Sequence, residues 1–396
     1  MKIVQINTFP YKATGTIMMN IHTKLLEQGV DSYVVWGRGR AAQNEHEIAI
    51  LDNVGVKWHG IYTRITDRTG FASRRATKKL IYELEKINPD IIHLHNIHGY
   101  YVNIEMLFKY IRNNRIKLVW TLHDCWAFTG HCAYFDMVGC EKWKTGCYNC
   151  EQKRTYPISM IKDNSKWNWK MKQELFTGLD MTIVTPSKWL KALVEQSFLK
   201  EYPVNVIYNG IDLDVFHPTK IHFDKLPKLN NKYLILGVAS EWSERKGLQD
   251  FLKLANILDK NKYQIILVGL SKQQIKKLPN YVIGIERTGN VRELAGIYTQ
   301  ANVFFNPTYE DNFPTTNLES IACGTPVITY NTGGSPEAIS KKTGVVIEKG
   351  KIENVAQWIL EHSHSKIDQC QYDKLIIEKK YMLEDYINLY QEIVRK

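Results

Sequence analysis

Residues 311–319 read Asp-Asn-Phe-Pro-Thr-Thr-Asn-Leu-Glu, and the chain continues Ser-Ile-Ala-Cys-Gly-Thr-Pro-Val-Ile over 320–328. The two carboxylates of this stretch, Asp311 and Glu319, stand on either side of seven residues. The apolar turn at Glu319 ends at a glycine and a proline just before β-branched residues, so the pattern predicts a loop, a helix and a strand in succession. An acid in the first turn of a helix lies beside unpaired backbone N–H groups. That setting suits a ligand that carries both hydroxyls and phosphates.

Strand-like runs alternate with helical patterns along the whole chain, which is typical of parallel sheets built from β-α-β units. A polar, proline-containing stretch at 215–232 separates two series of such runs. We therefore expect an α/β protein with two doubly wound, Rossmann-like domains facing a cleft. The predicted strands are 2–7, 32–36, 91–95, 118–122, 181–185 and 204–208 in the first series, and 233–238, 264–268, 281–285, 303–306 and 327–330 in the second.

Composition is that of a globular protein with an excess of positive charge. The 396 residues carry a formal net charge of +11, which favours an anionic partner. No run of eighteen apolar residues is present, and the N-terminus reads as a strand, so a cytoplasmic location is expected. Six basic residues between Arg64 and Lys79 fall in a predicted helical stretch. They indicate either a helix on an anionic membrane surface or an ordinary solvated helix face.

Three further motifs occur in order before the opening stretch. They are Thr-Pro-Ser-Lys-Trp at 185–189, Asn-Gly-Ile-Asp at 209–212, and Val-Ala-Ser-Glu-Trp-Ser-Glu-Arg-Lys-Gly-Leu at 238–248. Together the four resemble the retaining glycosyltransferases of family 4, which have the GT-B fold, and specifically the colanic-acid and exopolysaccharide type of bacterial enzyme. The resemblance covers nearly the whole chain. It implies an acceptor-side domain at 1–215 with a cysteine-rich insert at 125–155, a donor domain at 216–372, and a helix at 373–396 that packs back on the first domain.

The resemblance also implies a donor site for a UDP- or GDP-sugar. Lys246 would hold the diphosphate together with Arg245, because Ser240 stands near the place of the family's usual arginine. Glu319 would accept hydrogen bonds from the ribose hydroxyls. Either Asp311, where the family usually has Glu, or its neighbour Glu310 would contact the hexose. The other donor-binding residues implied in this way are Gly15, Asn312, Phe313, Pro314, Thr315 and Thr316.

Histidines collect at the predicted ends of two strands in the first domain. The resemblance gives His123 a catalytic role beside the reacting sugar, shared with Asp311. His95 and His98 are either acceptor-side residues or buried structural ones. The implied reaction retains configuration without a covalent intermediate: the departing phosphate takes the acceptor's proton, fixed cations stabilise the phosphate, and no catalytic metal is needed.

The cysteine-rich insert contains Cys132, Cys140, Cys147 and Cys150, the last two in CxxC spacing. Four thiols so close in sequence are enough for a structural zinc site. Disulfides and packed free thiols are the alternatives, and a reducing compartment disfavours the first of these.

The function that these features favour is transfer of a hexose from a nucleotide sugar to a glycan acceptor, lipid-linked and at the inner face of the cytoplasmic membrane, in surface polysaccharide synthesis. A catalytically silent GT-B scaffold and a basic, zinc-containing nucleic-acid-binding protein are the alternatives. Nucleic acid is not expected as a partner, because the basic residues are dispersed and the chain shows no aromatic RNA-binding strand motif.

Overall fold

The computed structural model describes residues 1–220, 232–362 and 378–395. The chain divides into two compact units. The first consists of Met1–Ile207 together with the chain from Met382 onward, and the second is Tyr208–Tyr381.

The first unit is built on a parallel seven-stranded sheet in the order β3-β2-β1-β4-β5-β6-β7. Its strands are β1 (Lys2–Asn7), β2 (Asp31–Trp36), β3 (Glu47–Ala49), β4 (Ile91–Leu94), β5 (Lys117–Thr121), β6 (Met181–Thr185) and β7 (Val204–Val206). Its helices are α1 (Lys12–Glu27), α2 (Asn53–Thr66), α3 (Arg74–Ile87), α4 (Ile104–Asn113), α5 (Ser165–Phe176) and α6 (Lys188–Val194).

The second unit has a parallel six-stranded sheet in the order β10-β9-β8-β11-β12-β13. Its strands are β8 (Tyr233–Val238), β9 (Tyr263–Val268), β10 (Val282–Ile285), β11 (Val303–Asn306), β12 (Val327–Tyr330) and β13 (Gly344–Ile347). Its helices are α7 (Leu248–Ile257), α8 (Lys272–Ile275), α9 (Val291–Gln300), α10 (Thr315–Ala322) and α11 (Ile352–His362), and the final helix α12 (Lys379–Arg395) begins here.

Burial on both faces explains why the central strands are apolar along their whole length. All six residues of β9 are buried, as are all four of β11 and all four of β12. Helices cover both faces of a parallel sheet, so its central strands show continuous apolar runs and no alternation. The predicted pair of Rossmann-like domains is therefore confirmed.

Each sheet reverses its strand order at one place. In the first unit β1 lies between β2 and β4, and in the second β8 lies between β9 and β11. Connections leave the two central strands in opposite directions there, which opens a crevice at their carboxyl ends where ligands of such sheets bind. Residues that follow β4 in the first unit, and β8 and β11 in the second, lie at these positions.

The last helix packs on the first unit from Met382 onward, as predicted. Its buried residues Tyr386 and Tyr390 join the same apolar cluster as Ile3 and Val119 of the central strands. The Tyr390 hydroxyl lies 2.6 Å from Nδ1 of His93. Residues 373–377 of the predicted helix lie outside the described residues.

Gly15, one of the implied donor-binding residues, lies in the first turn of α1, which begins at Lys12. A Cβ at Gly15 would lie 2.5 Å from the carbonyl oxygen of Phe9, so glycine permits close packing of this first turn. The single helical stretch expected around 64–79 is two helices, because Asp67 adopts a left-handed conformation (φ 60°) that ends α2.

Among the described residues, no helix is both long enough and apolar enough to cross a membrane.

Candidate donor and acceptor sites

The loop after β8 carries the two predicted diphosphate-binding cations. Arg245 and Lys246 form a short helical turn that Gly247 ends with φ 72°. A Cβ at Gly247 would lie 2.2 Å from the carbonyl oxygen of Pro307. The turn therefore packs against the loop that follows β11. Both cations follow the carboxyl end of β8, where the strand order reverses.

Specific polar contacts tie these two loops together. Nζ of Lys246 lies 2.5 Å from Oδ2 of Asp311, and both side chains are partly exposed. Arg245 donates from Nη1 to the carbonyl oxygen of Glu310 at 2.5 Å, while its own carbonyl accepts from the N–H of Tyr309 at 2.8 Å. Glu310 itself is buried. Of the two acids considered for the hexose, Asp311 is thus the one that faces the cation and remains partly accessible.

Glu319 lies one turn deeper in its helix than predicted. Helix α10 begins at Thr315, so Glu319 is its fifth residue and its first turn holds no acid. The hydroxyls of Tyr298 and Thr315 donate to the two carboxylate oxygens at 3.1 and 3.3 Å. Burial raises the pKa of this carboxyl to about 7, although both hydrogen bonds oppose the shift.

Most of the predicted donor residues at 312–316 hold the loop in place. Phe313 is buried in the apolar cluster of the second unit and packs against Tyr208, with ring centroids 5.0 Å apart. Asn312 and Pro314 are buried as well. Thr315 and Thr316 are only partly buried and occupy the first two positions of α10, where backbone N–H groups have no partner within the helix.

A turn at Gly333 and Gly334 packs against this loop. Gly333 has φ 54°, and a Cβ there would lie 1.7 Å from the carbonyl oxygen of Asp311. The N–H of Gly334 donates to the carbonyl of Asn312 at 2.9 Å. The side-chain amide of Asn317 donates to Oγ of Ser335 at 2.9 Å, which connects α10 to the same turn.

We expect Gly333→Ala to destabilise the protein by about 3 kcal/mol or more, because a methyl group would meet backbone that cannot move aside. Gly29→Ala is the matched control, since Gly29 has φ 72° but nothing within 4 Å of the added carbon. The control should cost about 1 kcal/mol from backbone strain alone. Thermal unfolding measures both variants, and equal losses of Tm would contradict the close contact.

Sequence reasoning missed a cavity of about 600 Å³ at the carboxyl ends of β8, β9 and β10. Three loops that are far apart in sequence line this cavity, so no single motif predicts it. Its lining includes Trp242, Gln274, Lys277, Glu286 and Arg287. A cavity of this size with a few polar groups suits a small-molecule ligand.

In the first unit, His95 and His123 follow neighbouring strands and their rings stack. Nδ1 of His95 and Nε2 of His123 lie 3.1 Å apart, and Nε2 of His95 lies 3.3 Å from Oε1 of Gln5. Burial lowers the pKa of His123 to about 4 and the pKa of His95 well below its usual value, so both rings are neutral at pH 7. His95 is buried, whereas His123 is partly exposed.

His98 belongs to a separate polar group. Its Nε2 lies 3.0 Å from Oδ2 of Asp124, and its Nδ1 lies 3.0 Å from the Tyr156 hydroxyl. Although burial acts to raise it, the charge and hydrogen bond of His98 hold the pKa of Asp124 below its usual value. His98 is buried, so of the predicted histidines only His123 offers an accessible edge.

The predicted zinc site is not supported. In the ranges 1–220, 232–362 and 378–395, no three His, Cys, Asp or Glu side chains could hold a metal ion together. The sulfurs have other partners: Cys132 and Cys150 hydrogen-bond to each other, and Cys147 accepts from the N–H of Gly130 at 3.1 Å. Cys132, Cys140, Cys147 and Cys150 are all free thiols.

Two family models match the chain, one for each half. The model described as Glycosyltransferase Family 4 matches residues 14–215, and the model described as Glycosyl transferases group 1 matches residues 232–364. WcaC, the glycosyl transferase assigned to colanic acid biosynthesis in Escherichia coli, is 25% identical over 99% of this chain and 100% of its own length. A Campylobacter jejuni N,N'-diacetylbacillosaminyl-diphospho-undecaprenol N-acetylgalactosaminyltransferase is 24% identical over 50% of this chain and 56% of its own.

Solved structures show the same fold. The sucrose-phosphate synthase of Thermosynechococcus elongatus superposes with a TM-score of 0.71 at 15% identity, covering 100% of this chain and 99% of that one. Anabaena HepE in complex with UDP superposes with a TM-score of 0.69 at 13% identity, covering 99% of this chain and 100% of that one.

Proposed function

Because the chain belongs to glycosyltransferase family 4 and is an enzyme of the exopolysaccharide type, we propose that it transfers a hexose from a nucleotide-diphosphate sugar to a glycan acceptor with retention of configuration. The observation that carries this proposal is the group formed by Lys246, Arg245 and Asp311 at the strand reversal of the second unit, with Glu319 on the helix that follows.

The donor would extend from the cavity to the loop after β11. The nucleobase fits the cavity of about 600 Å³, and the ribose hydroxyls fit the carboxylate of Glu319. Lys246 and Arg245 hold the diphosphate, with N–H groups at the start of α10 as further donors. Asp311 accepts from hydroxyls of the hexose while its other contact to Lys246 fixes its position.

The chemical step places negative charge on the departing diphosphate. Lys246 and Arg245 stabilise that charge because they are already held in position by the loop contacts and need no reorganisation. The acceptor hydroxyl attacks from the face that the phosphate leaves, and its proton passes to the phosphate. The cations thus do the work that a divalent metal does in other transferases.

His123 contacts a hydroxyl of the transferred sugar in this proposal. With Oε1 of Gln5 accepting from Nε2 of His95, neutral His95 accepts at Nδ1 from Nε2 of His123. Nδ1 of His123 then has a lone pair for a ligand hydroxyl. The pKa of about 4 keeps this ring neutral across the physiological range.

We propose that the acceptor is lipid-linked and that the product enters a surface polysaccharide, with the reaction at the inner face of the cytoplasmic membrane. Two relatives support this: WcaC is assigned to a polysaccharide pathway, and the Campylobacter jejuni enzyme is named for an undecaprenol-diphosphate acceptor.

A thermal-shift screen of UDP- and GDP-sugars tests donor binding and identifies the base. We expect a saturable rise in Tm with sugars of one nucleotide. NMR of the glycoside formed from that donor then shows whether the anomeric configuration is retained. A salt-sensitive complex with RNA and no response to any nucleotide sugar would favour a nucleic-acid-binding protein, and donor binding without turnover across acceptors would favour a silent scaffold.

Donor affinity should depend on pH through Glu319. Its pKa of about 7 lies above the usual 4.5, so the carboxyl is largely protonated below pH 7 and ionised above it. If the ionised form receives the ribose hydroxyls, the donor Kd should fall about tenfold per pH unit up to pH 7 and then level off. Calorimetric titration with the intact nucleotide sugar measures this, because a terminal phosphate would itself titrate near pH 6. Glu319→Gln should remove the dependence, and an unchanged slope in that variant would rule the assignment out.

A further inference from the structure

Helix α2 turns four of its apolar residues away from the protein. Val54, Trp58, Ile61 and Ile65 lie on one helix face, and all four are exposed, Val54 by 79% and Trp58 by 64%. The buried positions of the same helix are His59, Gly60 and Thr63. A helix that only covers a core has the opposite arrangement. The core therefore does not explain this face.

A neighbouring loop extends the exposed apolar surface. The N–H of Met160 donates to the carbonyl of Arg64 at 2.7 Å, and the N–H of Lys162 donates to the carbonyl of Ile65 at 3.3 Å. These bonds hold the loop along the end of α2. Met160 and Ile161 are 67% and 65% exposed. We call this surface the α2 face; its apolar members are Val54, Trp58, Ile61, Ile65, Met160 and Ile161.

The surroundings of the α2 face are strongly basic. Segment 53–79 contains seven Lys or Arg residues, and segment 152–162 contains three. Asp67 is the only acidic residue in these two segments taken together, and it is buried and hydrogen-bonded to His131. Eight of the basic residues are exposed and form no ion pair with any residue that the structure describes: Lys57, Arg64, Arg74, Arg75, Lys78, Lys79, Arg154 and Lys162.

We propose that the α2 face docks on an anionic phospholipid bilayer. Trp58, Ile61 and Met160 would enter the boundary between headgroups and acyl chains, while the flanking lysines and arginines bind lipid phosphates. A second copy of the chain fits less well, because pairing two α2 faces would bring two sets of unneutralised cations together. The proposal is independent of sugar transfer, and its test uses no donor.

The test is vesicle flotation of the full chain. We expect binding to vesicles of phosphatidylcholine mixed with phosphatidylglycerol, little binding to phosphatidylcholine alone, and loss of binding at high salt. Trp58→Ser combined with Ile61→Ser should weaken partitioning by about tenfold or more, since both residues lose apolar contact with lipid. The control Val291→Ser changes an exposed apolar residue of the second unit and should leave binding unchanged.

The charge requirement has its own pair of variants. Lys57→Glu with Arg64→Glu should abolish binding to the anionic vesicles, while Lys276→Glu with Lys341→Glu, two exposed lysines of the second unit, makes the same change of charge and should not. Thermal melting identical to that of the parent chain shows that each variant is folded.

Depth of insertion separates docking from simple charge attraction. Brominated lipids should quench a fraction of the tryptophan fluorescence, and Trp58→Phe should remove that fraction while preserving flotation. Three results would overturn the proposal: no binding to anionic vesicles, binding unaffected by the α2-face variants, or a change from dimer to monomer in Trp58→Ser by sedimentation, which would assign the face to a second copy.

Discussion

Replacement of Lys246 by alanine should lower kcat by about 100- to 1000-fold, which is the usual cost of removing one preorganised group from a developing negative charge. The structure gives this cation its place: Gly247 presses its turn against Pro307, and Asp311 holds its ammonium group at 2.5 Å. The donor KM should change much less, because Arg245 and the N–H groups of α10 still hold the ground-state diphosphate. Steady-state kinetics with the donor found by the screen separate the two constants.

Lys253→Ala is the matched control for this prediction. Lys253 lies on the following helix and pairs with Asp250 at 3.0 Å, in the same unit but outside the proposed site. It should retain near-parental kcat. A loss smaller than about threefold in Lys246→Ala would exclude this cation as a stabiliser of the leaving group.

Replacement of Glu319 by alanine should abolish stabilisation by the donor. At a donor concentration of 100 times its Kd the parent chain should gain about 2.7 kcal/mol. Hydrogen bonds to a charged group are worth about 1.5–3 kcal/mol each, so losing both ribose contacts should weaken binding at least about a hundredfold and remove the shift at that concentration. A thermal-shift assay measures this loss of donor-induced stabilisation directly.

The control for Glu319 is Glu353→Ala, which removes an exposed acid from the first turn of α11 in the same unit. Its donor response should equal that of the parent chain. The variant Glu319→Gln keeps the shape of the side chain, so a lost shift there cannot be ascribed to a collapsed helix. A full donor response in Glu319→Ala would show that the ribose lies elsewhere.

Apolar runs and motif order were enough to predict the architecture, because buried parallel strands leave a continuous signal. The strands at 181–185, 233–238 and 303–306 have the predicted bounds. The edge strands β3 and β13 were missed. Glu47–Ala49 has three residues, and its main stabilising contacts are the pairing with β2 and the ion pair between Glu47 and Arg40. Neither contact is visible in a local pattern.

The parts of the candidate site formed by residues adjacent in sequence could be predicted from motifs. The parts formed by residues far apart in sequence were harder to predict. Lys246 and Asp311 were named from motifs, and their contact joins loops 65 residues apart. The predicted position of Glu319 in the first turn of its helix was wrong, because α10 begins at Thr315, directly after Pro314. The cavity near Arg287 was missed because three separate strand ends create it. The zinc prediction is not supported: spacing shows only that sulfurs can meet, and here the free thiols of Cys132 and Cys150 hydrogen-bond to each other.

The prediction of a single basic helix around 64–79 was also wrong. Charge and apolar content predicted one helix through 64–79, yet a buried Asp67 ends α2 and bonds to the N–H of Asn164. That long-range bond could not be read from the sequence, and neither could the direction in which Trp58 points.

A crystal structure of the protein with its nucleotide sugar tests the donor site most directly. We expect a diphosphate within hydrogen-bonding distance of Nζ of Lys246 and ribose hydroxyls on the carboxylate of Glu319. A nucleotide sugar bound at full occupancy with neither residue in contact would contradict this expectation.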